Sequence, residues 1–175
     1  MVGARRMSLR SAVFLCVCLV GGCERPDATR MRGIPKMGTT LELTGSGLGQ
    51  PAVLTFDQLA KMPTVRLEDV LMRKTHEDDE VSSWQGPALE PLLTAAQIKP
   101  GPMTVSLEAE DGYKIEVRLE DLKDAIVATK DGEGRWLTET ESECVLKLVP
   151  PHLPGNFWVV NISRIRVEPA GESTP

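Results

Sequence analysis

The fold is decided by residues 104–129, TVSLEAEDGYKIEVRLEDLKDAIVAT. Apolar and polar residues alternate on both sides of Asp111-Gly112, a pattern that predicts a β-hairpin. A two-residue turn would set each apolar row opposite a charged row. A three-residue loop at 110–112 instead places every apolar residue on one face, and Gly112 supplies the left-handed residue that this loop needs. We therefore predict the three-residue loop.

The register of this hairpin follows from the loop length. On the apolar face it predicts the pairs Val105–Val117, Leu107–Ile115 and Ala109–Tyr113. On the other face Glu108 lies opposite Lys114, a favourable cross-strand pair. The sole tyrosine, Tyr113, faces the apolar row, which predicts core packing; the alternative is a hydroxyl at the rim of a ligand cleft.

Residues 1–22 have the pattern of an export signal. Arg5, Arg6 and Arg10 precede an apolar run at 12–20 that is too short to span a bilayer. We predict that this segment is a signal peptide and no part of the folded domain. At Arg5-Arg6 a generic basic region is favoured over a twin-arginine signal.

The signal ends in small residues before a cysteine, Gly21-Gly22-Cys23. This arrangement resembles the lipobox of bacterial lipoproteins, which implies cleavage before Cys23 and acylation of Cys23. An ordinary signal peptide with a chance cysteine is the alternative. More than one acyl chain makes anchoring durable. We therefore expect a lipid-anchored protein of the bacterial cell envelope, and Glu24 favours the periplasmic face of the outer membrane.

The rest of the chain is long enough for one domain with a hydrophobic core. The predicted organisation is a signal peptide at 1–22, a flexible tether at 23–38, a folded domain at 39–168 and a disordered tail at 169–175. The net charge is −5, and loss of the three signal arginines makes the mature chain more acidic. This charge argues against nucleic acid as a partner. With Cys23 lipidated, Cys144 has no disulfide partner, and its apolar neighbours predict a buried structural cysteine.

The remaining pattern predicts short strands and a few short helices. Thr55 and Gln58 form a capping box that starts a helix ended by Pro63. A second helix starts near Leu89, with Pro91 in its first turn. Other predicted elements are strands at 40–44, 52–54 and 65–72, a polar loop at 73–83, a short helix at 120–123, a strand at 144–149, and a strand pair or one long bent strand at 157–167.

Several of these pieces, in this order, resemble the molybdopterin-binding domain of the sulfite-oxidase type. The resemblance covers about residues 41–168, and it implies an α+β fold, mainly a β mixed-sheet domain with a few short helices. It also implies molybdopterin as the cofactor of catalytic members. The motifs that carry it are Trp84-x-Gly86-x-x-Leu89, Asp111-Gly112-Tyr113, Leu119-x-Asp121-Leu122, the apolar run 125–128 before Asp131-Gly132, residues 146–150, and Arg164-Ile165-x-Val167.

The chain departs from this family where the metal would bind. Catalytic members place a molybdenum-ligating cysteine between the strand near Val65 and the Trp-x-Gly motif, and residues 66–83 contain no cysteine. The family's Gly-x-Pro-x-Arg pattern is also missing at 142–146. We therefore predict no cofactor and a non-catalytic domain that binds a partner protein of the cell envelope or a small ligand. The alternative is a molybdopterin-dependent oxidoreductase with atypical metal ligation.

Three residues flank the place of the missing cysteine, and they are our candidates for a ligand cleft: Arg73, His76 and Tyr113. His76 with the acidic residues 77–80 is also a candidate cation cluster, but it lacks a second histidine at helical spacing, a cysteine pair and an EF-hand pattern. We therefore predict a solvated acidic loop and no metal site. His152 lies among prolines and is predicted to be a loop residue.

Overall fold

The computed structural model of the chain describes residues 39–74, 78–141 and 143–171. The predictions for the signal peptide, for the tether and for lipidation at Cys23 lie outside the described residues, and so does His76. None of the helices in the described ranges is long and apolar enough to cross a membrane.

Short strands dominate the described chain. The strands are β1 Thr40–Thr44, β2 Ala52–Thr55, β3 Thr64–Met72, β4 Glu80–Pro87, β5 Met103–Ala109, β6 Lys114–Arg118, β7 Ile126–Ala128, β8 Lys130–Asp131, β9 Lys147–Val149, β10 Val159–Val160 and β11 Ile162–Pro169. The α-helices are α1 Phe56–Lys61, α2 Leu89–Ala95 and α3 Leu137–Thr140, and 3-10 turns lie at Leu119–Leu122 and Gly155–Phe157.

The strands form one five-stranded sheet, in the order β2-β1-β11-β5-β6, and two three-stranded sheets, β10-β9-β7 and β3-β4-β8. The last strand, β11, lies in the middle of the large sheet, parallel to β1 and antiparallel to β5. Because β11 bridges the two halves of that sheet, the C-terminal segment completes the fold. This mixed, mainly β architecture confirms the predicted fold class.

The β5–β6 hairpin has the predicted register. Val105 pairs with Val117 and Leu107 with Ile115. The loop closes through the Ala109 amide, which donates to the Tyr113 carbonyl at 2.9 Å, and Gly112 has φ +86°. The prediction that Tyr113 packs in the core is wrong, since Tyr113 is 44% exposed. It stands at the tip of the hairpin, beyond the end of the ladder, where too few neighbours surround it.

The capping box at α1 is also confirmed. The Gln58 amide donates to Thr55 Oγ1 at 3.3 Å, and the Thr55 amide donates to Gln58 Oε1 at 2.8 Å. These bonds satisfy amide groups that the first turn of a helix leaves unpaired. Phe56 and Leu59 are then held against the core.

Two other predictions need correction, and for a third the structure decides between the two alternatives. The polar loop at 73–83 is shorter than predicted, because β4 already begins at Glu80 and pairs with β3. In the predicted strand at 144–149 only Lys147–Val149 forms a ladder. The segment 157–167 is a strand pair whose members join different sheets, β10 with β9 and β11 with β5. The extent and pairing of these strands depend on partner strands that are distant in sequence, so the local sequence pattern could not predict them.

Two hydrophobic clusters fill the interior. The larger one packs the inner face of the five-stranded sheet against α1 and α2. The smaller one contains Trp84, Ile126, Leu137, Cys144 and Trp158. Its two tryptophans meet edge to face, with their ring centroids 6.2 Å apart. This second core therefore contains the tryptophan of the Trp-x-Gly motif.

Gly86 of that motif marks a close crossing of β4 over β7. A Cβ atom at Gly86 would overlap the carbonyl oxygen of Val127 and would lie 2.7 Å from Ala128 Cα. The Thr129 amide donates to the Gln85 carbonyl at 2.9 Å and fixes the crossing. Glycine is therefore required here for packing, a reason independent of any ligand.

Candidate functional site

A surface cleft lies where β3 ends. Its volume is about 290 Å³, and we call it the β3 cleft; it is lined by Leu71, Arg73, Pro151, His152, Leu153 and Pro154. One wall comes from the end of β3, and the other comes from the loop that follows β9. This is the region where the sequence predicted a ligand cleft.

The loop is fixed against β3 by backbone hydrogen bonds. The Gly155 amide donates to the Arg73 carbonyl at 2.8 Å, and the Leu153 amide donates to the Pro150 carbonyl at 3.2 Å. The indole Nε1 of the buried Trp158 donates to the Leu153 carbonyl at 3.3 Å. Because the loop is held at both ends, the walls of the cleft are formed before any ligand arrives.

The structure brings two of the three predicted cleft residues to this loop. Arg73 lines the cleft. Tyr113 does not line it, but its hydroxyl donates to the Asn156 carbonyl at 2.7 Å, next to Gly155. Tyr113 therefore supports the loop from the far side. The third residue, His76, lies outside the described residues.

His152 is a cleft residue that sequence reasoning left as a loop residue. Its Nε2 lies 3.2 Å from Asp124 Oδ2, and both side chains are exposed. Asp124 is 28 positions away in sequence and Arg73 is further still. No local pattern could have placed these groups together.

The cleft combines the cation of Arg73 with apolar surface. Within the described ranges, the Arg73 side chain forms no ion pair. Leu71 lines the cleft at 41% exposure, and its cross-strand partner Val81 is 60% exposed. Such a surface can accept a carboxylate or another oxyanion that is attached to an apolar group.

Cys144 is confirmed as a buried cysteine and lies in the second core, at 1% exposure. Burial raises the pKa of its thiol to about 12, and the nearby Glu141 adds to this shift. The thiolate is the form of cysteine that ligates metals. Cys144 therefore cannot supply a ligand without leaving the core.

The second core also contains an ion pair that the sequence did not suggest. Lys147 Nζ lies 2.8 Å from the Glu141 carboxylate and 4.0 Å from the centroid of the Trp84 ring. The carboxylate and the ring face compensate the charge of a side chain that is only 10% exposed. The group is structural, because it is already satisfied.

The family model described as "Oxidoreductase molybdopterin binding domain" matches residues 32–174. The chain belongs to this family. The family assignment made from the sequence motifs is confirmed, and the protein is an oxidoreductase-like domain of the molybdopterin-binding type.

Among solved structures, this molybdopterin-binding family member is similar to the sulfane dehydrogenase SoxCD from Paracoccus pantotrophus. The TM-score is 0.62 at 20% sequence identity. The match covers 78% of this chain and 40% of the SoxCD chain, so it supports the fold alone. No curated protein matches the chain significantly.

The described residues do not fit a molybdenum–pterin group of the usual kind. The interval 66–83 has no cysteine, and Cys144 is buried elsewhere as a neutral thiol. Within the described ranges, no three His, Cys, Asp or Glu side chains are grouped to hold a metal. The cleft, at about 290 Å³, lies just below the usual range of ligand-pocket volumes, which is about 300 to 1,000 Å³.

Proposed function

We propose that this chain is a non-catalytic, lipid-anchored domain of the bacterial cell envelope that binds a partner protein or a small ligand. The observation that carries this proposal is the missing thiolate. The loop that holds the family's metal ligand has no cysteine, and the remaining cysteine has a pKa of about 12. A soft thiolate suits a high-valent molybdenum site, and the oxygen and imidazole groups near β3 replace it poorly.

The β3 cleft is the binding surface in this proposal. Arg73 offers a planar, permanently charged fork for a carboxylate, and Leu71 with Val81 offers apolar contact beside it. An acidic side chain next to an apolar one on a partner protein would match both features. The fixed loop supports this role, because a preformed surface loses less entropy on binding.

Lipid anchoring is supported by the residues before the domain. Gly21-Gly22-Cys23 implies acylation of Cys23, and a flexible tether at 23–38 would follow. A flexible segment of that length has an end-to-end distance of about 20–25 Å. The domain would then search for partners in a shallow layer above the membrane.

Metal analysis of protein purified from its native host tests the non-catalytic role. Molybdenum and released pterin are measured per chain, in the native protein and in Cys144→Ala. We expect less than one tenth of an equivalent of molybdenum in both. Molybdenum near one equivalent in the native protein would overturn the proposal, and its loss in Cys144→Ala would identify the ligand.

Family membership favours one alternative, a molybdopterin-dependent oxidoreductase with atypical metal ligation. Arg73, His76 and Tyr113 are then the residues around the cofactor. This alternative requires molybdenum near one equivalent in native protein and a lower content in Arg73→Gln. The same metal analysis therefore decides between the two functions.

Site-specific photocrosslinking tests the cleft itself. A benzophenone side chain is placed at Val81, beside the cleft, and in a control at Val53, which is equally exposed on β2. In native membranes we expect one discrete adduct from position 81 that is absent from position 53 and is lost when Arg73→Glu is added. An adduct that survives Arg73→Glu would exclude the cleft as the binding surface.

A further inference from the structure

The outer face of the five-stranded sheet carries a second concavity, far in sequence from β3. Its volume is about 390 Å³, and we call it the sheet-face groove; it is lined by Glu42, Thr44, Ser106, Glu108, Lys114, Arg164 and Arg166. These residues come from β1, β11, β5 and β6, which lie side by side. The β3 cleft does not involve this face, and among the residues of the family motifs Arg164 lies on it.

The strand register arranges the groove in two rows. In the first row Glu42 lies opposite Arg164, Arg164 opposite Glu108, and Glu108 opposite Lys114. Arg164 Nε is 2.9 Å from Glu42 and its Nη1 is 3.2 Å from Glu108. The pKa of Arg164 is raised, and its hydrogen bond to Glu42 is the largest cause. Arg164 therefore holds both carboxylates of this row.

The second row has no carboxylate among the lining residues, but its end on β6 is Glu116, which lies opposite Ser106. In it Thr44 lies opposite Arg166, and Arg166 opposite Ser106. The ion-pair partner of Arg166 in the described chain is Glu168, at 3.8 Å from Nε. The other carboxylate oxygen of Glu168 accepts hydrogen bonds from the Ser46 hydroxyl and the Ser46 amide. The pKa of Glu168 is lowered, and the hydrogen bond from the Ser46 hydroxyl is the largest cause. The N–H groups on the terminal nitrogens of Arg166 therefore remain available to a ligand.

Two further donors in the groove have no acceptor in the described part of the chain. Thr44 Oγ1 is the buried side-chain oxygen there that lacks a hydrogen-bond partner. Lys114, opposite the engaged Glu108, forms no ion pair with a described residue. A buried hydroxyl without a partner is unfavourable, so a rotation of the Thr44 side chain that brings Oγ1 to an acceptor in the groove is stabilising. Arg166, Thr44 and Lys114 are all hydrogen-bond donors, so an anion with several acceptor oxygens would suit all three.

We propose that the sheet-face groove is a binding site for a small oxyanion, a phosphate, sulfate or carboxylate group, seated on Arg166. The guanidinium fork of Arg166 donates to two oxygens, Thr44 and Ser106 flank it with hydroxyls, and Lys114 adds charge from β6. The site is independent of the proposed function at the β3 cleft.

The test is a two-dimensional 1H–15N NMR titration of the full chain with sodium phosphate, sulfate or acetate, at constant ionic strength set by sodium chloride. We expect the amide signals of Thr44, Ser106 and Arg166 to move together along one saturable curve for at least one of these anions. Arg166→Gln should weaken that binding about tenfold or more, because a charged hydrogen-bonding group is removed. Thr44→Val should weaken it by a smaller factor.

Two control variants make the result specific. Arg118→Gln removes an exposed arginine of β6 that is already paired with Asp121 and should leave the affinity unchanged. Arg73→Gln should also leave it unchanged, which separates this site from the β3 cleft. Vesicles of phosphatidylglycerol form a further arm that distinguishes a lipid headgroup from a free anion. Shifts that do not saturate, or an unchanged affinity in folded Arg166→Gln, would overturn the proposal.

Discussion

Gly86→Ala tests whether the Trp-x-Gly motif serves packing. The new methyl group would overlap the carbonyl oxygen of Val127 and approach Ala128 Cα at 2.7 Å. Both neighbours are backbone atoms of residues with 0% exposure, so neither can swing aside. Overpacking usually costs about 1–3 kcal/mol, and a clash with fixed backbone belongs at the upper end, about 3 kcal/mol. In a domain of this size that corresponds to a fall in Tm of about 10 °C.

Thermal unfolding of the full chain, followed by circular dichroism, measures this fall. Gly112→Ala is the matched control, because its methyl group would meet nothing within 4 Å while its φ of +86° remains strained. That strain alone costs about 1 kcal/mol, or about 3–4 °C. A loss in Gly86→Ala no greater than in Gly112→Ala would refute the reasoning, since β4 and β7 would then separate at little cost.

Three further predictions concern single groups. The pKa of the Cys144 thiol rises from 9.0 to about 12 on folding, so the unfolded chain loses the thiol proton at a lower pH than the folded chain does. The free energy of unfolding should therefore fall as the pH rises between these two values. Denaturant titrations measure this fall, which should be smaller in Cys144→Ala. Glu141→Gln leaves the Lys147 charge unpaired and should lower the free energy of unfolding by about 2–3 kcal/mol, more than Lys147→Met, which keeps the contact with Trp84. Thr55→Ala removes the helix cap and should cost about 1 kcal/mol by the same titration, with the exposed Thr94→Ala near neutral.

Features that depend on neighbours in sequence were predicted correctly. The hairpin register follows from loop length and apolar alternation, and the structure shows the same pairs, Val105–Val117 and Leu107–Ile115. The start of α1 follows from Thr55 and Gln58, three positions apart. In both cases the interacting residues are separated by about a dozen positions or fewer, so a local sequence pattern is enough to predict the structure.

Features that depend on distant partners were missed. The beginning of β4 is polar, and what makes it a strand is its ladder to β3 across the loop. Tyr113 has the alternation of a core residue but lies beyond the end of the ladder, where its hydroxyl reaches Asn156. His152 lies at the cleft because β9 ends at Val149, and the residues that follow lead the chain towards Arg73. Arg73 was named through the family resemblance, not through a local rule, and it lines the cleft.

The motifs that reveal the family serve packing and turn geometry, so they account for the fold without the cysteine that is missing from residues 66–83. Gly86 permits the crossing of β4 over β7, and Trp84 packs on Trp158 and under Lys147. Asp111-Gly112 closes the hairpin that supplies the core of the large sheet. Each of these residues contributes packing or turn geometry, and none needs a bound group. A match based on them therefore reports the architecture, whereas the chemistry depends on a loop position that they do not constrain.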